Sequence, residues 1–309
     1  MLEGVVTNTS IMANVPGAEQ SLGLLRSHGL LKRLGLHLNL TEGAPLSPPS
    51  GIPSLLQPGS GKPQFLGKVG FRRACDAGDI SSEEVEKEAR AQLEWFVQHV
   101  GHPPVHLDGH QHSHVVPQFV LTLAALFAEM GVKHVRAPME HVDEHNEQFS
   151  LCPVCSLVSE QGVAARKQFL AHGLCCLDAF VGLTFCGQPY TASDVEDALH
   201  TQLAAGARSV EMMTHPGLTE LGGDNEAEHV AHLKGFWGAF SVSEDRADEV
   251  NVLCDPKFRN KIQRIVRIVC FEDVGPDGYD RTLWDKVIHG IHQLGFRYVL
   301  DWPIWCWFL

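Results

Sequence analysis

Apolar residues recur along this chain with a period of two in some stretches and of three to four in others, and the change of period predicts its elements. Leu34, Leu36, Leu38 and Leu40 alternate with Gly35, His37 and Asn39. That alternation predicts a strand with His37 and Asn39 on the face opposite the leucines. An earlier strand is expected within Gly4–Asn14, centred on Ser10-Ile11-Met12-Ala13, and a short helix over Glu19–Ser27 with Leu22, Leu24 and Leu25 on its apolar side. Pro, Ser and Gly dominate Pro45–Gly61, which predicts a long loop. Phe65 to Phe71 reads as its apolar, glycine-broken continuation. Ser81 and Glu84 have capping-box spacing. Behind them Val85, Ala89, Leu93, Phe96, Val97 and Val100 fall on one helical face, and Gly101 and Pro103-Pro104 stop the helix.

Strand and helix then alternate. A strand beginning at Val105 runs into His106-Leu107-Asp108-Gly109-His110-Gln111-His112-Ser113-His114. On an extended chain His106, Asp108 and His110 share a face. Pro117 opens a helix with Phe119, Leu121, Leu123, Leu126 and Met130. Val132–Arg136 is a strand, Gly162–Ala171 a helix and Leu174–Val181 a strand. Ser193 and Glu196 cap a helix through Ala204, and the strand Arg208–Thr214 ends in His215-Pro216-Gly217. A helix over Pro256–Ile262 and a strand over Ile265–Phe271 complete the pattern. Such alternation predicts an α/β fold with a mainly parallel sheet, either doubly wound or closed as a barrel. Neither a GxGxxG fingerprint nor a GxxxxGK[ST] phosphate loop is present. In a barrel, chemistry sits where strands end, and His37, His110, Arg136 and His215 all fall at strand ends.

Composition narrows the field. The 309 residues carry a formal net charge of −13, which argues against nucleic acid as the main partner. The nine cysteines are an odd number and no leader-like start precedes them, so reduced thiols in the cytosol or nucleus are expected. Cys152-Pro153-Val154-Cys155 has the spacing of a redox or zinc pair, but no second CxxC follows. No apolar run is long enough to span a membrane. The charges from Glu244 to Glu249 read as a solvated helix face, and the apolar end Trp302–Leu309 as packing, a cover for an exposed barrel edge, a membrane contact or a misread exon.

Four histidines within nine residues, from His106 to His114, suit a divalent-metal or acid–base site, though a histidine-rich turn has the same composition. If His37 and His110 hold one cation, a carboxylate and an open position for water would complete a hydrolytic site. His215 is then the natural acid for a leaving amine. Arg136 could fix or discharge a carboxylate base. Asp108, on the His110 face, could orient an imidazole or bind the metal itself. His112 and His114 read as supporting residues, and Asp178 and Arg136 as pocket residues or an ordinary buried ion pair.

The stretches Gly35–Gly43, His106–Pro117 and Glu211–Gly217 resemble three internal motifs of the YdjC-like carbohydrate deacetylases, a family that includes chitooligosaccharide deacetylases. Phe65-Leu66-Gly67-Lys68, Asp178–Gly187 and Val252–Pro256 are similar to its animal branch. The resemblance spans about Gly4 to Val274. It implies one distorted (β/α) barrel domain over residues 1–274, followed by a divergent tail over 275–309. It also implies a cytoplasmic, metal-dependent hydrolase that removes acetyl groups from N-acetylated oligosaccharides. His37 and His110 match the family's metal-binding histidines, and His215 matches its general acid. Asp108, Arg136 and Asp178 would be substrate-binding or supporting residues. The family's metal is usually magnesium; nitrogen donors suit zinc at least as well.

One departure matters. The family pattern begins with a strand ending in an Asp-Asp motif that supplies a metal-binding aspartate and the base, and no aspartate precedes His37. The expectation is a chain lacking the first strand and helix, with impaired activity and exposed sheet edges that favour a homodimer. The alternative is a non-catalytic, sugar-binding or protein-interaction remnant of the fold.

Overall fold

Strands whose every residue is buried dominate the architecture, as expected where helices cover both faces of a parallel sheet. The computed structural model describes residues 1, 4–59, 61–142, 153–185, 189–217, 245–274 and 305–308. They divide into two compact units. The first comprises Thr9–Met139 and Cys152–Asp178; the second comprises Met1–Asn8, Glu140–Leu151 and Ala179–Leu309.

In the first unit, β1 (Asn8–Ile11), β2 (Leu34–Leu38), β3 (His106–Gly109) and β4 (His134–Val135) lie in the order β4-β3-β2-β1, all parallel. Around them run α1 (Ala18–Ser27), α2 (Gly67–Ala77), α3 (Ser82–Val100), α4 (Val120–Glu129) and α5 (Pro153–Ala171). Leu34, Leu36, Leu93, Phe96, Phe127 and Phe169 are fully buried among these elements. The register sets His37 beside Asp108 and Leu38 beside Gly109. It therefore decides which polar groups meet.

In the second unit, β5 (Ala179–Val181) runs parallel to β6 (Val210–Thr214), and β7 (Trp305–Phe308) pairs antiparallel with β6. The helices are α6 (Ala192–Ala204), α7 (Asp245–Cys254) and α8 (Pro256–Ile262). Val181, Phe185, Tyr190, Val195, Leu199, Met212, Leu253 and Phe258 form one apolar cluster. In the register of that pair Met212 lies opposite Phe308 and Thr214 opposite Cys306.

Several local expectations are corrected. The glycine-broken Phe65–Phe71 segment leads into α2, whose buried Phe71 and Cys75 are four residues apart. Gly67 and Gly70 lower intrinsic helix propensity there, and burial of that face overrides it. The Ser81/Glu84 box does not form. Glu84 Oε2 accepts instead from the Ser54 backbone N–H and hydroxyl, both at 2.7 Å, and Ser54 Oγ takes the Ser81 N–H. The next capping box uses Thr191 and Asp194 rather than Ser193 and Glu196. Helix α5 begins nine residues before the expected Gly162. Within it Cys155 is disulfide-bonded, against the expectation of reduced thiols, whereas Cys75, Cys175, Cys176, Cys254 and Cys270 are thiols. Ile265–Phe271 is not a strand: the N–H groups of Ile265 and Val266 return to Ile262 O, so the chain turns instead of extending. Among the described residues no helix is long and apolar enough to cross a membrane.

Candidate active site

Strand β2 ends at Leu38, and the next residues fold back on themselves around one side chain. Asn39 Oδ1 accepts the N–H groups of Thr41 and Glu42, both at 3.1 Å, and Asn39 Nδ2 donates to Glu42 O at 2.8 Å. Such Asx turns let a short amide replace a backbone partner. Asn39 is itself gripped from α3. Gln92 Oε1 accepts the Asn39 N–H at 3.0 Å while Gln92 Nε2 donates to Asn39 O at 2.6 Å. Glu88, fully buried beside Gln92, receives the N–H groups of Leu46 and Ser47. These bonds fix the loop that carries Glu42.

Four side chains of the first unit converge there. His37 Nδ1 donates to Asp108 Oδ2, its neighbour in the parallel register. His37 Nε2 lies 3.3 Å from His110 Nδ1. His110 Nε2 lies 2.8 Å from Glu42 Oε2. Asp108 is fully buried, and the Arg136 guanidinium approaches it to 3.5 Å. Burial alone would raise the Asp108 carboxyl pKa, but His37 and Arg136 outweigh it and hold the group ionised, well below the usual carboxylate range. Burial also lowers His37, with Asp108 opposing. Burial tends to raise Glu42, yet its bond to His110 keeps it below its ordinary value.

The tautomers follow from these partners. An ionised Asp108 takes the proton on His37 Nδ1, and an ionised Glu42 takes the one on His110 Nε2. The two remaining ring nitrogens then meet as lone pairs 3.3 Å apart. Two acceptors at that distance repel unless a cation lies between them, either a shared proton or a metal ion. Imidazole–metal bonds of about 2.05 Å at a tetrahedral angle would put the two nitrogens about 3.3 Å apart. Each ring is also backed by a carboxylate, as metal-binding imidazoles commonly are. The pair therefore fits a cation as two nitrogen donors. Among the described residues no group of three or more His, Cys, Asp or Glu side chains gathers for one.

The histidine-rich stretch is split. Strand β3 stops at Gly109 and His110 opens a tight turn in which Gln111 and His112 adopt φ values of 53° and 56°. His110 therefore leaves the strand face that His106 and Asp108 share, and Asp108 orients His37 rather than His110. Non-glycine residues in the left-handed region are strained and mark functional turns more often than plain ones. Arg72 of α2 donates to Gln111 O at 2.9 Å, and Gln111 Nε2 lies 3.3 Å from His110 Nε2. His114 Nε2 donates to Arg136 O at 3.0 Å, a supporting role as expected. The His106 ring packs over Gly35, where a Cβ would lie 2.4 Å from its Cε1, so only glycine fits. Asp178 pairs with Arg166 of α5 at 3.2 Å and the pair is part-exposed, whereas Arg136 faces Asp108, so the expected buried pair of Asp178 with Arg136 is replaced by two others.

A family model described as YdjC-like protein matches residues 1–264. The chain belongs to the YdjC-like family. It is 35% identical over 289 residues to a human protein named carbohydrate deacetylase, covering 88% of this chain and 84% of that one. It is 32% identical over 222 residues to a chitooligosaccharide deacetylase of Serratia marcescens, covering 70% and 73% of the two chains. A crystal structure of an Enterococcus faecalis protein, provisionally named a cellobiose-phosphate cleavage protein, superposes with a TM-score of 0.60. Its identity is 18%, with 87% of this chain and 88% of that one covered, so it speaks for the α/β fold alone.

In the second unit His215 follows β6, buried, with its N–H donated to Glu249. Glu249 contradicts the expected solvated face: it is 8% exposed. Glu140 is another buried carboxylate, accepting from Leu183 N at 2.7 Å and Thr184 Oγ1 at 2.8 Å, and burial raises its pKa despite those bonds. Glu42, Glu140 and Glu249 were missed as site residues because a lone glutamate carries no spacing signal. Glu42 alone had a cue, in its place three residues after Asn39.

Proposed function

We propose that this YdjC-like protein is a metal-dependent carbohydrate deacetylase that cleaves the acetamide of N-acetylated oligosaccharides. The observation that carries this reading is the pair of facing histidine nitrogens, each ring backed by its own carboxylate. His37 and His110 would hold the ion, Mg2+ by family resemblance or Zn2+ by donor softness. When bound, the ion supplies Lewis-acid polarisation of the acetyl carbonyl and a low-pKa water.

The chain's own groups do the rest. Asp108 keeps His37 in one tautomer, so its Nε2 stays a donor of electrons to the cation. Arg136 holds Asp108 ionised, which prevents Asp108 from taking a proton that His37 must share. Glu42 does the same for His110 from the loop side. His215 delivers a proton to the departing amine, which would otherwise leave as an unstable anion. Names of relatives, carbohydrate and chitooligosaccharide deacetylase, support the substrate class. The family's distorted barrel is the proposed setting, in the cytoplasm.

Two measurements test this reading. Purified chain is expected to bind about one divalent ion, lost in His37→Ala and in His110→Ala, by calorimetry with Zn2+ and with Mg2+. Acetate release from N,N′-diacetylchitobiose is expected with the ion present and absent in His215→Gln. A folded chain that binds neither ion would replace this reading with the non-catalytic, sugar-binding one.

A further inference from the structure

Helix α7 grips the turn that carries His215, and it does so by main chain. Arg246 and Glu249 are three residues apart and share a helix face. The Glu249 carboxylate accepts the His215 N–H. Arg246 Nε donates to His215 O at 2.9 Å, and Arg246 Nη2 donates to Pro216 O at 3.3 Å. The Arg246 carbonyl accepts the Gly217 N–H at 3.1 Å. The polar backbone atoms on both sides of the His215 Cα are thus tied to one helix. The guanidinium lies against the glycine backbone, since a Cβ on Gly217 would stand 2.7 Å from Arg246 Cζ. A side chain at that position would push the guanidinium aside, so glycine there leaves room for the close approach.

We propose that Arg246 and Glu249 are positioning residues that set the placement of His215 by clamping its peptide units. The proposal rests on the reading of His215 as the proton donor. Neither residue needs to touch substrate. The clamp explains why a glutamate in a charge-rich stretch is buried at the end of β6. Its rigid fork also suits an arginine better than a lysine, because Nε and Nη2 reach the two carbonyls from separate nitrogens whereas an ammonium must reach both from one flexible point. Glu249 could act by charge or as a hydrogen-bond acceptor, and the bond to a backbone N–H points to the acceptor role.

The test follows the His215 ring in the full chain by 1H–13C NMR, its signal assigned by loss in His215→Gln. Wild type is expected to give one narrow ring signal. Arg246→Ala and Glu249→Ala are expected to split or broaden it, and to lower kcat on diacetylchitobiose about 10–100-fold with KM unchanged. Glu249→Gln, which keeps an oxygen acceptor, is expected to rescue both readouts, and Arg246→Lys to fall between. Urea midpoints establish that each variant is folded. If an alanine variant fails to fold, Arg246→Lys and Glu249→Gln decide. A wild-type ring signal in folded Arg246→Ala, Glu249→Ala or Arg246→Lys overturns the clamp, as does Glu249→Gln behaving like Glu249→Ala. If the wild-type chain releases no acetate, the functional reading falls, while the ring signal still decides the clamp.

Discussion

Removing the charge of Asp108 should cost more than any other single polar change in the first unit. Asp108 is fully buried, and Arg136, 1% exposed, lies 3.5 Å away. At an effective dielectric of about 20 that separation corresponds to about 5 kcal/mol of attraction. Asp108→Asn preserves shape but removes the negative charge beside the guanidinium, and breaking a buried pair from one side typically costs about 3–5 kcal/mol. Arg136→Met should cost less, because Asp108 still accepts from His37. The double variant removes both charges of the pair, so its loss should fall short of the sum of the single losses by about 2–3 kcal/mol. Urea unfolding followed by amide exchange of β3 reads the first unit separately. Losses that add to within about 0.5 kcal/mol would refute the claim that Arg136 is held by this carboxylate.

Two further outcomes follow. Burial holds His114 and His134 at a pKa of about 4 against an ordinary 6.5, so each stays neutral when folded and protonates first when unfolded. Their stabilisation is therefore complete above pH 6.5 and lost as pH falls toward 4, at about 1.4 kcal/mol per pH unit for each histidine. A urea midpoint for the first unit that stays flat from about pH 6.5 to pH 4.5 would contradict this. Gln92→Leu removes both bonds to the Asn39 backbone and leaves a buried N–H and C=O, a loss of about 2–4 kcal/mol. Calorimetry should show a lower Tm, and Asn39 amide exchange should accelerate even at temperatures where the chain stays folded.

The pattern of apolar positions was enough to place β2, β3, β6, α3 and α6, because a buried face imposes its period on the local sequence. Short motifs pointed to His37, His110 and His215 for the same reason: each stands beside a strand end that is legible locally. Where glycines or prolines interrupted the period the reading failed, as at α2, and where apolar residues lacked a partner strand it overreached, as at Ile265–Phe271. What tertiary structure alone decided was who meets whom. Parallel register put Asp108 against His37 instead of His110. A loop folded around Asn39 brought Glu42 to His110 across 68 residues of sequence. Helix α7 turned Glu249 of a charged stretch inward so that it meets the His215 backbone. Hydrogen bonds and ion pairs act over a few ångströms in space, and a sequence records periodicity along the chain but not those distances.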